Sequence, residues 1–377
     1  TTFVLIAAYR EARCGRTLWD MFQRARAPER VFAGVVDQRD DDAGDPRCVD
    51  EFCALWRTNR TAFSDAARMA TEAAERDGDD QCVFRPHVRV MYVNSSDAKG
   101  PCYARALAQR LLPGLHDESQ LPTFCMQIDS HSLFTYDWDL GMAKQWLGAD
   151  NEYAVLTTYA SNGADRAADG HAHQRRDVPH ICRTMWGGHG LVRNTIAAAA
   201  NDLPRPKLNN LWGAGLSYAR CSFERLVPYD PHLYHVFDGE EYSRMARLFT
   251  TGFDAYTPNM NYVYHDYTHV KHFWSGDVAA AARRRTPRRS MAEESAEGVA
   301  RLKHLFGYAD AQPVNLTAYT VGTCRSVDAL VRFTGVETRG AQRRESSGAQ
   351  CGQLHWVPYE RDERECFAEA ARRVAAH

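Results

Sequence analysis

Short apolar runs set apart by amphipathic stretches organise the first third of the chain. Residues 3–8 form an unbroken apolar run of strand length, the pattern of a strand covered on both faces. Behind it, Leu18, Met21, Phe22 and Ala25 recur at helical spacing over residues 16–27, and Pro28 ends the helix. Residues 31–36 are a second buried run, closed by Asp37. Strand, helix and strand within about 35 residues predict a βαβ unit, and with it a parallel, doubly wound sheet.

The pattern continues in the same style. It predicts an exposed helix over 65–76, a strand over 88–93, a helix over 103–112 and a strand over 124–128 that delivers Asp129. A helix over 138–146 and a strand over 154–158 follow. Residues 162–179 are polar and without a period, which predicts a loop. Residues 209–218 look like a strand pierced by glycines, and glycine there marks a bulge or a close approach by a ligand. An amphipathic helix covers 240–250. Beyond Trp274 the character changes: a basic run at 283–289 reads as a solvated helix end. Short β-like pieces at 318–321 and 327–333 follow, and a charged helix at 361–374 closes the chain.

Composition narrows the class. The 377 residues are 44% hydrophobic and 25% charged, an ordinary globular balance for one large α/β domain with additions or for two domains. A formal net charge of -2 favours neither nucleic acid nor an anionic membrane. No run of about 18 apolar residues is present. The chain starts at Thr1 without Met and enters a strand at once, which reads as a trimmed sequence with any signal or anchor upstream. The 11 cysteines show no Cys-x-x-Cys spacing, against zinc ribbons and thioredoxin chemistry. Sequons begin at Asn59, Asn94 and Asn315.

Candidate chemistry gathers where predicted strands end, the place where open α/β sheets bind nucleotides. At the end of the 124–128 strand, Asp129-Ser130-His131 offers a carboxylate and an imidazole two positions apart, a donor set suited to manganese or a similar divalent ion beside a diphosphate. His265 follows a β-like run and is the candidate third ligand, with His269 behind it. In the first loop Ala7 leaves room for a nucleotide, Tyr9 or Arg10 can pack on a base, and Glu11 can accept from a ribose hydroxyl. Asp37 is placed to accept from a uracil imide. Lys99 and Arg105 flank Gly100-Pro101, a helix start able to bind phosphate. Glu240 and Glu241 open a helix, where carboxylates also suit the dipole. No P-loop, Gly-x-Ser-x-Gly elbow or His-Glu-x-x-His occurs.

Taken in order, Tyr9-Arg10-Glu11, Lys99-Gly100-Pro101 with Ala104-Arg105, Asp129-Ser130-His131, Trp212-Gly213-Ala214-Gly215, Gly239-Glu240-Glu241 and Tyr264-His265-Asp266-Tyr267 resemble glycosyltransferase family 60, the polypeptide α-N-acetylglucosaminyltransferases. The resemblance covers about residues 3–274. It implies a GT-A fold: a Rossmann-like, doubly wound mixed sheet over residues 1–275, with a nucleotide-binding half to about 131 and a sugar and acceptor half from 132. Residues 276–377 become a small C-terminal extension outside it. UDP-GlcNAc is the implied donor, a protein or peptide hydroxyl (Thr, Ser or hydroxyproline) the acceptor, Mn2+ or another divalent cation the cofactor, and retention the outcome.

Asp129, His131 and His265 match the metal positions. Ala7, Tyr9, Arg10, Glu11, Asp37, Lys99, Arg105 and Ser130 match the donor pocket, while Trp212, Gly213, Ala214 and Gly215 line the sugar. Glu240 and Glu241 meet GlcNAc and acceptor, with a two-step route through one of them left open. Another UDP-sugar donor, or a non-catalytic UDP- or glycan-binding module of the same fold, are the alternatives. A Golgi lumen with an upstream anchor is the expected location, a cytoplasmic one the alternative.

Overall fold

The computed structural model describes residues 1–59, 63–76, 82–115, 117–173, 177–268, 276, 289–339 and 351–376. His269, residues 283–288 of the basic run and the predicted boundary at 275 lie outside them.

Among the described residues the centre is an eight-stranded sheet. Its strands, in chain order, are β1 (Thr2–Tyr9), β2 (Val31–Arg39), β3 (Val88–Asn94), β4 (Phe124–Asp129), β5 (Ala154–Thr158), β6 (Lys207–Asn209), β7 (Leu216–Arg220) and β8 (Asp254–Thr257). They lie side by side as β6-β8-β5-β7-β4-β1-β2-β3. The β4-β1-β2-β3 half is parallel, as the βαβ reading requires. The sheet becomes mixed where β7 runs antiparallel between β4 and β5 and β6 runs antiparallel on β8. This is a mixed α/β sheet of the doubly wound kind that the resemblance implied.

Alternation along β1 explains its unbroken apolar run. Val4, Ile6 and Ala8 face a core shared with the Cys14–Arg24 and Cys48–Thr58 helices. Phe3 and Leu5 face the other side, where Leu107 of the Pro101–Gln109 helix covers them. Each fully buried side chain of this size contributes roughly 1.5–3 kcal/mol. A further core joins Val155, Ala219 and Ala255 of the sheet to Met245 and Phe249 of the Glu240–Thr251 helix. The same core takes in Leu302, Leu330 and Ala370 from three C-terminal helices, Met291–Leu305, Val327–Thr334 and Glu363–Ala375.

Several local expectations change. The 327–333 piece is a helix: Ser326 caps it by accepting the Ala329 N–H at 3.2 Å, and Ala329, Leu330 and Phe333 are buried at helical spacing. Residues 318–321 are not a strand but overlap the 3-10 turn Thr317–Tyr319. The glycines end the proposed 209–218 strand, which splits into β6 and β7 with irregular chain between. The 162–179 loop holds a 3-10 turn, and its end belongs to the strand Asp177–His180, paired with Ala198–Asn201. The Cys48–Thr58 and Met291–Leu305 helices were not foreseen.

Eight of the eleven cysteines pair, as Cys14–Cys48, Cys53–Cys82, Cys125–Cys221 and Cys182–Cys351. Cys102, Cys324 and Cys366 are buried thiols.

Candidate active site

Sheet register builds the site. Asp129 ends β4 opposite Ala7 of β1, so its carboxylate leaves the sheet at the carboxyl edge of the parallel strands. The chain then turns through Ser130 and His131 into a short strand, Ser132–Phe134. The Thr17 hydroxyl fixes that turn, donating to the Ser130 carbonyl at 2.8 Å and accepting the Ser132 N–H at 3.0 Å. Ser132–Phe134 pairs antiparallel with Val263–His265, with His265 opposite Ser132. This pairing brings two histidines 134 positions apart to an Nε2–Nε2 distance of 2.8 Å. His265 Nε2 lies 3.4 Å from Asp129 Oδ2.

One ligand atom from each of Asp129, His131 and His265 lies within 4.8 Å of the other two. One oxygen and two imidazole nitrogens at that spacing fit a divalent cation such as Mn2+ or Zn2+. The Glu11 carboxylate lies 3.0 Å from His131 Nδ1. A hydrogen bond there puts the proton on Nδ1 and leaves the Nε2 lone pair for a metal.

Arg105 reaches into the cluster from the Pro101–Gln109 helix. It lies 3.3 Å from Asp129 Oδ1 and forms an ion pair with Glu240. Burial alone would raise the Asp129 pKa. The hydrogen bond from His265 and the positive charge of Arg105 outweigh it, so the carboxyl is held well below its ordinary value. Glu240 opens its helix directly after Gly239, whose φ of 90° is a left-handed conformation natural to glycine.

Glu241 turns the other way and accepts the Ala214 N–H at 2.9 Å and the Tyr159 hydroxyl. Burial pushes its carboxyl up to about 7 despite those two hydrogen bonds. These residues line a cleft of about 670 Å³. Gly215 borders it, and a β-carbon there would stand 3.6 Å from Asp129 Oδ2.

The structure therefore gathers Asp129, His131, His265, Arg105, Glu240, Glu241, Ala214 and Gly215. Other expected residues are engaged elsewhere. Glu11, expected at a ribose, turns to His131 and to the Arg13 N–H. The Arg10 guanidinium is held by Asp45 at 2.7 and 3.2 Å, and Tyr9 ends β1 beside it. Asp37 is buried and accepts the Cys48 N–H at the start of a helix. Lys99 does not reach the cluster: it pairs with Glu294 at 2.6 Å and lies over the Tyr234 ring. Ser130 is buried. Trp212 is a core residue, its indole donating to Ser217, and Gly213 is a packing position where a β-carbon would meet Ile181 at 2.3 Å.

Sequence reading missed Tyr159, Arg193, Asn194, Ile196 and Phe237, which complete the cleft. They lie in irregular or short β segments with no periodic signal.

The sequence model of the family described as Glycosyltransferase (GlcNAc) matches residues 1–339. This chain belongs to that family. No curated protein matches this chain by sequence. It is similar to solved structures at 12% identity. GalNAc-T7 with UDP, GalNAc and Mn2+ gives a TM-score of 0.45, with 90% of this chain and 55% of that one covered. S. aureus TarS 1–349 with UDP-GlcNAc gives 0.37, with 81% and 73% covered. The mannosyltransferase PcManGT from Pyrobaculum calidifontis with GDP-Man and Mn2+ gives 0.34, with 68% and 54% covered. The family member described here thus spans about half the length of the first.

Proposed function

We propose that this glycosyltransferase moves GlcNAc from UDP-GlcNAc to a hydroxyl group of a protein, with retention, in an oxidising lumen such as the Golgi. The observation that carries the reading is the convergence of Asp129, His131 and His265 into one cluster beside Arg105 and Glu240, with Asp129, His265, Arg105 and Glu240 lining one cleft. A divalent cation, Mn2+ as first choice, would be held by those three side chains and would supply charge opposite a diphosphate. The family description, Glycosyltransferase (GlcNAc), accords with a GlcNAc donor.

The chain's own residues then divide the work. Arg105 places a fixed guanidinium at the cluster, where negative charge grows on the departing diphosphate as the anomeric bond breaks. Glu240 anchors that guanidinium and faces the space left for the sugar. Glu241 and Tyr159 form a polar wall fixed by the Ala214 N–H, suited to holding donor or acceptor hydroxyls. The acceptor hydroxyl attacks from the face of the leaving group, and the departing phosphate oxygen takes its proton. Four disulfides support a secretory location, because such bonds persist in oxidising compartments.

The test is UDP release from a panel of UDP-sugars, with and without Mn2+, EDTA and Thr-, Ser- or hydroxyproline-containing peptides. Release from UDP-GlcNAc that needs metal and rises with one peptide is the expected result. Faster release from UDP-Gal or UDP-Glc would replace the donor, and absence of metal-dependent turnover with every donor and peptide would sink the proposal.

A further inference from the structure

A second cavity, of about 840 Å³, opens beside β6, the edge strand of the sheet, apart from the cleft. It is bounded by the segment leading into β5, the segment leading into β6 and the chain that follows Cys351, and it shares no lining residue with the cleft among the described residues. Tyr153, Tyr256, Trp356 and Tyr359 line it. Their polar atoms are tied down. The Trp356 indole N–H donates to Asp254 at 2.9 Å, the Tyr359 hydroxyl to the Gly252 carbonyl at 2.8 Å and the Tyr153 hydroxyl to Glu363 at 2.9 Å. Asp254 is itself fixed by an ion pair with fully buried Arg325 at 2.9 Å.

Trp356 is the telling residue. The Arg325 guanidinium lies 5.6 Å from its ring centroid and occupies one face, yet the residue is 49% exposed. An indole anchored through its N–H to a buried carboxylate cannot swing inward, so its remaining apolar surface stays presented to the cavity. Arg205 stands on the rim, exposed and with no ion pair among the described residues. A rigid aromatic plate beside charged and amide groups is complementary to a pyranose. The sugar's C–H face covers the ring while its hydroxyls take hydrogen bonds from the rim. A purely apolar peptide would cover the ring but leave the polar rim unpaired.

The geometry points to a carbohydrate-binding site in this cavity, separate from the cleft, with Trp356 as the stacking platform and Arg205 as a hydrogen-bond donor to one hexose or N-acetylhexosamine unit of a glycan. It stands independently of the transferase reading. The experiment uses the full chain in EDTA, titrated with methyl glycosides of GlcNAc, GalNAc, mannose and galactose and with a proline-rich peptide, read by tryptophan fluorescence and saturation-transfer NMR.

Saturable binding of at least one glycoside near the millimolar range is expected, with affinity about tenfold lower in Trp356→Ala and about threefold lower in Arg205→Ala, and unchanged in Asp129→Ala. Because Arg205 is exposed and makes no ion pair among the described residues, that variant tests the site even if Trp356→Ala fails to fold. Binding lost in Asp129→Ala but kept in Arg205→Ala would assign the sugar to the cleft. No saturable glycoside binding, or binding of the peptide alone, would overturn the site.

Discussion

Glu11 and Glu241 show how single carboxylates take different work from their surroundings. Glu11 faces His131 Nδ1 at 3.0 Å, and this contact orients the opposite nitrogen toward His265 and Asp129. Loss of such a partner costs about 10–100-fold in metal affinity. Glu11→Ala is therefore expected to weaken Mn2+ binding by that factor in an EPR titration. Glu11→Gln, which keeps an accepting oxygen, should weaken it less; equal affinity in all three proteins would remove the orienting role. Glu241 makes a prediction about pH instead. Its carboxyl ionises near 4.5 ordinarily and near 7 in the fold. Between those values the folded chain holds a proton that the unfolded chain has released, so stability falls as pH rises from 4.5 through 7 and then levels. The shift corresponds to roughly 3 kcal/mol at most. Urea unfolding at pH 5 and pH 8 should show that loss in the parent protein and little of it in Glu241→Gln.

Three helices frame the Arg105 and Glu240 side of the site, and one buried carboxylate joins them. Glu224, in Ser222–Leu226, accepts from Gln109 at the end of the helix that carries Arg105. It also pairs at 2.7 Å with Arg244, one turn along the helix that begins with Glu240. Arg244 is 1% exposed and lies over the Tyr229 and Phe223 rings. Removing one partner of a buried pair strands the other, at a cost of about 3–5 kcal/mol. Glu224→Ala should therefore lower stability by that amount in chemical denaturation, and the double variant Glu224→Leu, Arg244→Met should recover much of it. Elements such as these were partly legible in the sequence. Long apolar runs and helical spacing gave β1, β2, β4, β5 and the Glu240–Thr251 helix, because their burial is periodic. The Val327–Thr334 helix looked β-like because its β-branched and aromatic residues mask the period, while its cap at Ser326 carried the stronger signal. The metal candidates were legible as residue types at strand ends. The partners of Glu11, Lys99, Arg10 and Asp37 were not, since each comes from a segment placed by tertiary packing.

At the scale of the molecule, the disulfides tie the sheet and its additions into a common frame. Cys125–Cys221 joins β4 to the chain just after β7, so it locks the strand that presents Asp129 to its antiparallel neighbour. Cys182–Cys351 reaches further, with a sequence separation of 169, and fastens the segment that carries Trp356 and Tyr359 to the residues behind the cleft wall. In the chain-entropy account a cross-link stabilises by restricting the unfolded chain, more so for a longer loop, and losing a native one costs about 2–5 kcal/mol. Replacing Cys182 and Cys351 with alanine should therefore lower the thermal midpoint in calorimetry more than replacing Cys53 and Cys82, whose separation is 29. The same variant separates the cavity beside Trp356 from the cleft. Glycoside binding at Trp356 should weaken because its segment loses an anchor, while Mn2+ affinity at Asp129, His131 and His265 should hold, since none of those three depends on that cross-link. A parallel loss of both would mean that the cross-link organises the sheet itself rather than the segment it fastens.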